Sequence, residues 1–127
     1  MQMSRLWPGV FVACGGALGA LARGALSIPF SGISANFSLF LINVVGAFLL
    51  GWLNGFLRKN KLPHQAEISL FVGTGFLGSF TTFSSLVYTT EELGIGWGIF
   101  YIGATLMAGL LFALIGLQFG KKCKITL

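Results

Sequence analysis

Gly73-Thr74-Gly75-Phe76-Leu77-Gly78-Ser79-Phe80-Thr81-Thr82-Phe83-Ser84-Ser85 is the stretch that decides how this chain folds. Nine of its thirteen residues are Gly, Ser or Thr, yet it lies inside an uncharged, largely apolar run from Ile68 to Tyr88. A run of about 20 mostly apolar residues is what a helix needs to cross roughly 30 Å of hydrocarbon. Glycine weakens a helix, and Ser and Thr hydroxyls offer its backbone other partners. Irregular backbone at membrane depth persists only where it is buried in protein or lines a polar cavity. The stretch therefore predicts a membrane helix broken near its middle. The plainer reading is an intact helix whose small residues pack against neighbours.

Three further segments flank it, Leu6 to Ile28, Phe37 to Leu57 and Ile95 to Phe119, and only Arg23 among the charged residues falls inside any of the four. The connectors carry loop chemistry: Pro29 and Ser31-Gly32, then Arg58, Lys59, Lys61 and Pro63, then Thr89 to Gly94 with Glu91 and Glu92. The 127 residues are 55% hydrophobic and 9% charged, against about a quarter charged in a soluble domain. A small soluble fold leaves too much surface in water to hide that apolar content. Disorder is excluded by the abundance of aliphatic and aromatic side chains, 13 of them Phe. The chain reads as an all-α membrane protein, one integral membrane domain over residues 1–127 with spans at about 6–28, 37–57, 68–88 and 95–119.

With four spans, both termini share a side with the second connector. That side carries Arg5, Arg58, Lys59, Lys61, Lys121, Lys122 and Lys124, seven basic residues against Arg23 alone opposite. The positive-inside rule places it in the cytoplasm. These residues flank apolar spans and form no basic groove with interleaved aromatics, so the net charge of +5 does not point to nucleic acid. The lone His64 lies in a connector with no metal or nucleophile constellation around it, which argues against an enzyme. Cys14 and Cys123 imply no disulfide framework.

Within the spans, pairs such as Gly15/Gly19, Gly51/Gly55 and Gly116/Gly120 let helix backbones approach closely where lipid gives no hydrophobic drive. Four short helices do not enclose a pore alone, so an oligomer is expected. Asn43 is the one amide well inside a span, and its N–H₂ offers two donors suited to an anion or to a neighbouring helix. Phe80 and Phe83 are three apart and would share a face if helical geometry resumes after Gly78. The positive edge of an aromatic ring can meet a bare anion without a formal charge. Thr81, Thr82, Ser84 and Ser85 place hydroxyls beside them, and Tyr101 and Thr105, spaced i, i+4, could extend a track of donors.

Gly75-x-x-Gly78-x-Phe80-Thr81-Thr82-Phe83-Ser84, with Asn43 in the second span and Gly-Ala-x-x-Arg ending at Arg23, resembles the Fluc (CrcB) family of fluoride channels. The similarity covers essentially the whole chain, and the third-span motif is its specific part. The resemblance implies an antiparallel, dual-topology homodimer in the bacterial plasma (inner) membrane, with two narrow fluoride pores. It implies pore-lining edges from Phe80 and Phe83, a fluoride-coordinating amide from Asn43, and polar pore groups from Thr82, Ser84, Tyr101 and Thr105. It also implies a structural Na⁺ held at the dimer centre by the carbonyls of Gly75 and Gly78. Seven basic residues against one would, by count alone, favour a single orientation.

Passive export of fluoride would then rest on dense uncharged donors that replace the ion's water, a replacement that in an apolar medium has to offset tens of kcal/mol. No Lys or Arg sits at mid-span to trap the ion. The alternatives are a small four-span multidrug exporter and a non-transporting membrane assembly subunit. A proton-coupled exporter needs a carboxylate inside a span, and Glu67, Glu91 and Glu92 all lie at boundaries.

Overall fold

A computed structural model describes residues 3–32 and 34–126. The described residues are helical with no strand, in the order α1 (Met3–Ser27), a 3₁₀ turn (Pro29–Gly32), α2 (Ala35–Asn60), α3 (Gln65–Ile68), a π-helical segment (Ser69–Leu77), α4 (Gly78–Phe80), α5 (Ser84–Leu93) and α6 (Ile95–Lys122). Four helical runs are long and apolar enough to cross a membrane: Arg5–Ser27, Ala35–Asn60, Gln65–Leu93 and Ile95–Lys122. The third is made of α3, the π segment, α4 and α5 in series.

Local chemistry sets the ends. The Ser34 hydroxyl accepts from the Phe37 N–H (3.4 Å) at the start of α2. Lys61, in the left-handed region (φ 45°), closes α2 by donating its N–H to Leu57 O (3.1 Å). Arg58 and Lys59 in the last turn of α2, and Lys121 and Lys122 in that of α6, complement the negative helix ends. The connector expected from Thr89 to Gly94 is shorter than the sequence suggested. Helix α5 runs on through Glu91 and Glu92 to Leu93, and Gly94 alone, at φ +82°, turns the chain into α6. Only a residue without a Cβ takes that conformation readily.

The apolar side chains lie mostly outside. Trp97 (71% exposed), Phe100, Leu106, Leu110 and Leu114 stud the surface of α6, as suits a chain solvated by lipid. The interior is small: Leu53, Leu57 and Leu77 pack together with Trp52, Phe56, Val72 and Phe76 around them. Glycine makes the closest contacts. A Cβ on Gly51 would collide with the Ala113 carbonyl of α6, and one on Gly19 with the Phe76 carbonyl of the π segment. The glycine pairs thus join helices within one subunit, α1 to the third span and α2 to α6.

The candidate site at the helix break

The third span breaks later than its glycines suggested. Gly73, Gly75 and Gly78 all remain in helical backbone, and Gly75 packs on α1, where its Cβ would stand 2.7 Å from Val12 O. The helix ends at Phe80, Thr81 is extended (φ −79°, ψ 155°), and α5 begins at Ser84. Two side chains hold this break. The Thr81 hydroxyl donates back to Leu77 O (3.0 Å), which also accepts from the Thr81 N–H (3.0 Å). Asn43 of α2 clasps the backbone of the next residue: the Thr82 N–H donates to Asn43 Oδ1 (2.9 Å) and Asn43 Nδ2 donates to Thr82 O (3.2 Å).

That clasp has consequences on both sides. The Thr82 N–H would otherwise serve the Gly78 carbonyl four residues back, which is left without its helical donor. Downstream, the Phe83 and Ser84 N–H groups meet no protein acceptor among the described residues, so the start of α5 presents free donors. The Thr82 hydroxyl accepts from the Ser85 N–H (3.3 Å) and lies 3.2 Å from both Ser84 Oγ and Ser85 Oγ.

Two cavities meet at Thr82. One, of about 430 Å³, is lined by Arg23 and Ser27 of α1, Ser38 and Ile42 of α2, and Thr82 and Ser85. The other, an apolar groove of about 350 Å³, takes in Asn43, Gly46, Gly78, Thr82, Phe83 and Thr105. Arg23, the only charged residue within the predicted spans, is half-buried in the wall of the first.

The site residues expected from sequence are brought together in part. Asn43, Thr82, Phe83, Thr105 and Gly78 share the groove, and Ser84 adjoins it through Thr82. Phe80 and Phe83 do not share a face, because the helix that would align them stops at Phe80. Phe80 is 6% exposed and stacked on Phe76 (centroids 6.1 Å apart, planes 8° off parallel), whereas Phe83 is 61% exposed. Tyr101 and Thr105 do not form a track of free donors. Tyr101 donates its hydroxyl to Asn36 O, and Thr105, buried, donates to Tyr101 O (2.8 Å). Gly75 lies against α1, with its carbonyl already accepting from the Gly78 N–H.

Ser27 and Ser38 were not singled out in the sequence. A signal was present for Ser38: Ala35, Ser38, Leu39 and Ile42 follow i, i+3, i+4, i+7 spacing, and all four line the cavity beside Arg23.

Comparison with known proteins places the chain in a family. The family described as CrcB-like protein, Camphor Resistance (CrcB), matches residues 10–117. The chain is 39% identical over 118 residues to Fluoride-specific ion channel FluC 2 of Leifsonia xyli subsp. xyli, covering 87% of this chain and 81% of the relative. It is 37% identical over 118 residues to a FluC 2 of Bacillus cereus, covering 87% and 95%. It is 34% identical over 122 residues to FluC 3 of Yersinia pseudotuberculosis, covering 91% and 90%. These relatives are named as ion channels rather than enzymes, and they share the matched family with a chain whose four apolar helices make it a multi-pass bacterial membrane protein. The chain belongs to the CrcB family.

Proposed function

We propose that this chain conducts fluoride passively out of the cytoplasm through a path along the break in its third span. The observation that carries the reading is the Asn43 clasp. It holds a helix open at membrane depth between two cavities and leaves unpaired backbone donors beside an exposed ring. Irregular backbone there has a role in the membrane only if it lines a polar passage or packs in protein. The names of the relatives supply the ion.

The chain's own groups suggest a sequence of roles. Arg23, with Ser27, Ser38 and Ser85 in the same cavity wall, attracts an anion at one end of the path and stands in for part of its water there. The free N–H groups of Phe83 and Ser84 at the start of α5 then face it with the positive end of a helix. Asn43 uses one amide hydrogen on Thr82 O, and the second remains for an anion. The Phe83 ring, exposed in the groove, offers its edge, while Phe80, buried and stacked on Phe76, would act from behind Gly46 in the groove wall. None of these donors past Arg23 carries a formal charge, so the ion is held weakly enough to leave.

Two antiparallel copies, with a path in each, would close the groove that is open along Asn43, Phe83 and Thr105 in one subunit. Of the two glycine oxygens expected to hold Na⁺, that of Gly78 belongs to this groove and suits a hard cation at that junction, whereas Gly75 lies against α1 and would have to reach it from the turn before. Gly78 O has lost its helical donor, and Gly75 O keeps one lone pair beyond the Gly78 N–H. The ion would supply positive charge that ties the two copies together.

The test is electrode-measured efflux from liposomes holding the purified protein. Fluoride should leave and chloride should stay, and Phe83→Ile should slow fluoride release at least tenfold. Equal loss of both halides, or of neither, overturns the reading.

A further inference from the structure

The end of the molecule far from Arg23 carries a second arrangement, independent of the ion path. Helices α2 and α6 finish in close backbone contact: a Cβ on Gly55 would stand 3.0 Å from the Lys121 N, and one on Gly120 2.7 Å from the Phe56 N. Beyond α6 the chain could trail away from the membrane, but Asn60 prevents it. Asn60 Nδ2 donates to Phe56 O of its own helix (2.9 Å) and to Cys123 O of the tail (2.9 Å), and the Ile125 N–H donates to Asn60 Oδ1 (2.7 Å). A side chain sixty-odd residues away in sequence thus folds the tail onto the end of α2.

The result is a gathering of cations. Arg58, Lys59 and Lys61 follow one helix end and Lys121, Lys122 and Lys124 the other, all six exposed. Among the described residues the one ion pair is His64 with Glu67 (3.5 Å), so no carboxylate there neutralises any of the six. Lys122 Nζ lies 5.7 Å above the Phe119 ring, which leans it along the apolar shaft of α6. Residues placed only to orient a helix need lie no closer than the same side of the bilayer. A side chain that makes two hydrogen bonds to hold a basic tail beside a second basic helix end does more than that.

We propose that this end of α2 and α6, organised by Asn60, binds the phosphate headgroup of an anionic phospholipid. The complementarity is of charge and of place. The cluster terminates two apolar spans, where phosphates lie at the level of the helix ends, and groups of four to eight Lys and Arg immediately beside a span are what anionic headgroups seek. A diphosphate lipid such as cardiolipin matches two helix ends that each present three cations.

Native mass spectrometry of the full chain in detergent tests the site, with cardiolipin and phosphatidylcholine offered at equal concentration. Cardiolipin should occupy roughly five times more protein than phosphatidylcholine, and inorganic phosphate at the same concentration should not displace it. Lys121→Gln, Lys122→Gln and Lys124→Gln combined should lower cardiolipin occupancy roughly five-fold, and Asn60→Ala alone should lower it comparably. The lysines are exposed, so their replacement leaves folding intact even where Asn60→Ala disturbs elution. Equal occupancy by the two lipids, displacement by free phosphate, or undiminished cardiolipin on the triple variant overturns the proposal.

Discussion

Both polar atoms of the Asn43 amide are committed to the backbone of one residue, Thr82, and this gives the residue work to do in the absence of any ion. An amide well inside a span invited two readings from sequence, anion ligand or interhelical partner, and the clasp establishes the second while leaving one N–H for the first. Its partner was not legible, because Thr82 lies 39 residues away and nothing local marks the pairing. The same gap explains the phenylalanines. Their spacing was readable, but whether they share a face depends on Thr81 staying helical, which a contact from another helix decides. Asn43→Ala leaves the Thr82 N–H and carbonyl half-buried without partners, at a cost of about 1–3 kcal/mol. Thermal unfolding in detergent should therefore start lower, and fluoride efflux should fall in parallel. A residue that served only as an ion ligand would lose efflux with unfolding unchanged.

At the scale of elements, composition announced the helices and four-residue glycine spacing announced close packing, but neither said which helices meet. The α1 stripe packs on the π segment and the α2 stripe on α6, so those small residues are used inside the subunit, while Gly96 and Gly103 of α6 meet nothing there. The break was legible as an event near the middle of the third span, but its exact residue was not. Gly, Ser and Thr content marks where a helix is weak, whereas the Thr81 and Asn43 hydrogen bonds determine where it opens. Glycine's two uses can be separated by one substitution at two sites. A Cβ at Gly19 meets the Phe76 carbonyl, while at Gly9 it meets nothing within 4 Å. Gly19→Ala should destabilise by about 1–3 kcal/mol, the usual range for overpacking. Gly9→Ala should be neutral or stabilising by up to about 1 kcal/mol, since alanine is the better helix former. Denaturant titration of the two variants side by side reads the difference, and equal effects would mean that α1 does not pack on the third span as described.

For the whole molecule, two arguments bear on how copies sit in the bilayer. Seven basic residues at one end against Arg23 at the other favour that end inside. The groove open along Asn43, Phe83 and Thr105 is what the proposed second, inverted copy would close. These act on different steps. The basic bias steers insertion, whereas the apolar stretches 6–28, 37–57, 68–88 and 95–119 hold no charge except Arg23, which lies near a span end in a cavity wall, so an inverted copy buries no further charge. The connectors are short and hold no folded domain that would resist crossing. An antiparallel pair therefore remains compatible with the charge count, and its basic ends then meet anionic headgroups at both surfaces. Cys123 reports on this directly, since it is exposed at the basic end. In a Cys14→Ala background, a membrane-impermeant thiol reagent added to intact cells should label about half of the copies, because an antiparallel pair has equal numbers of each orientation. Labelling of none would mean one orientation only, and the groove would then have to close against something other than an inverted copy of this chain.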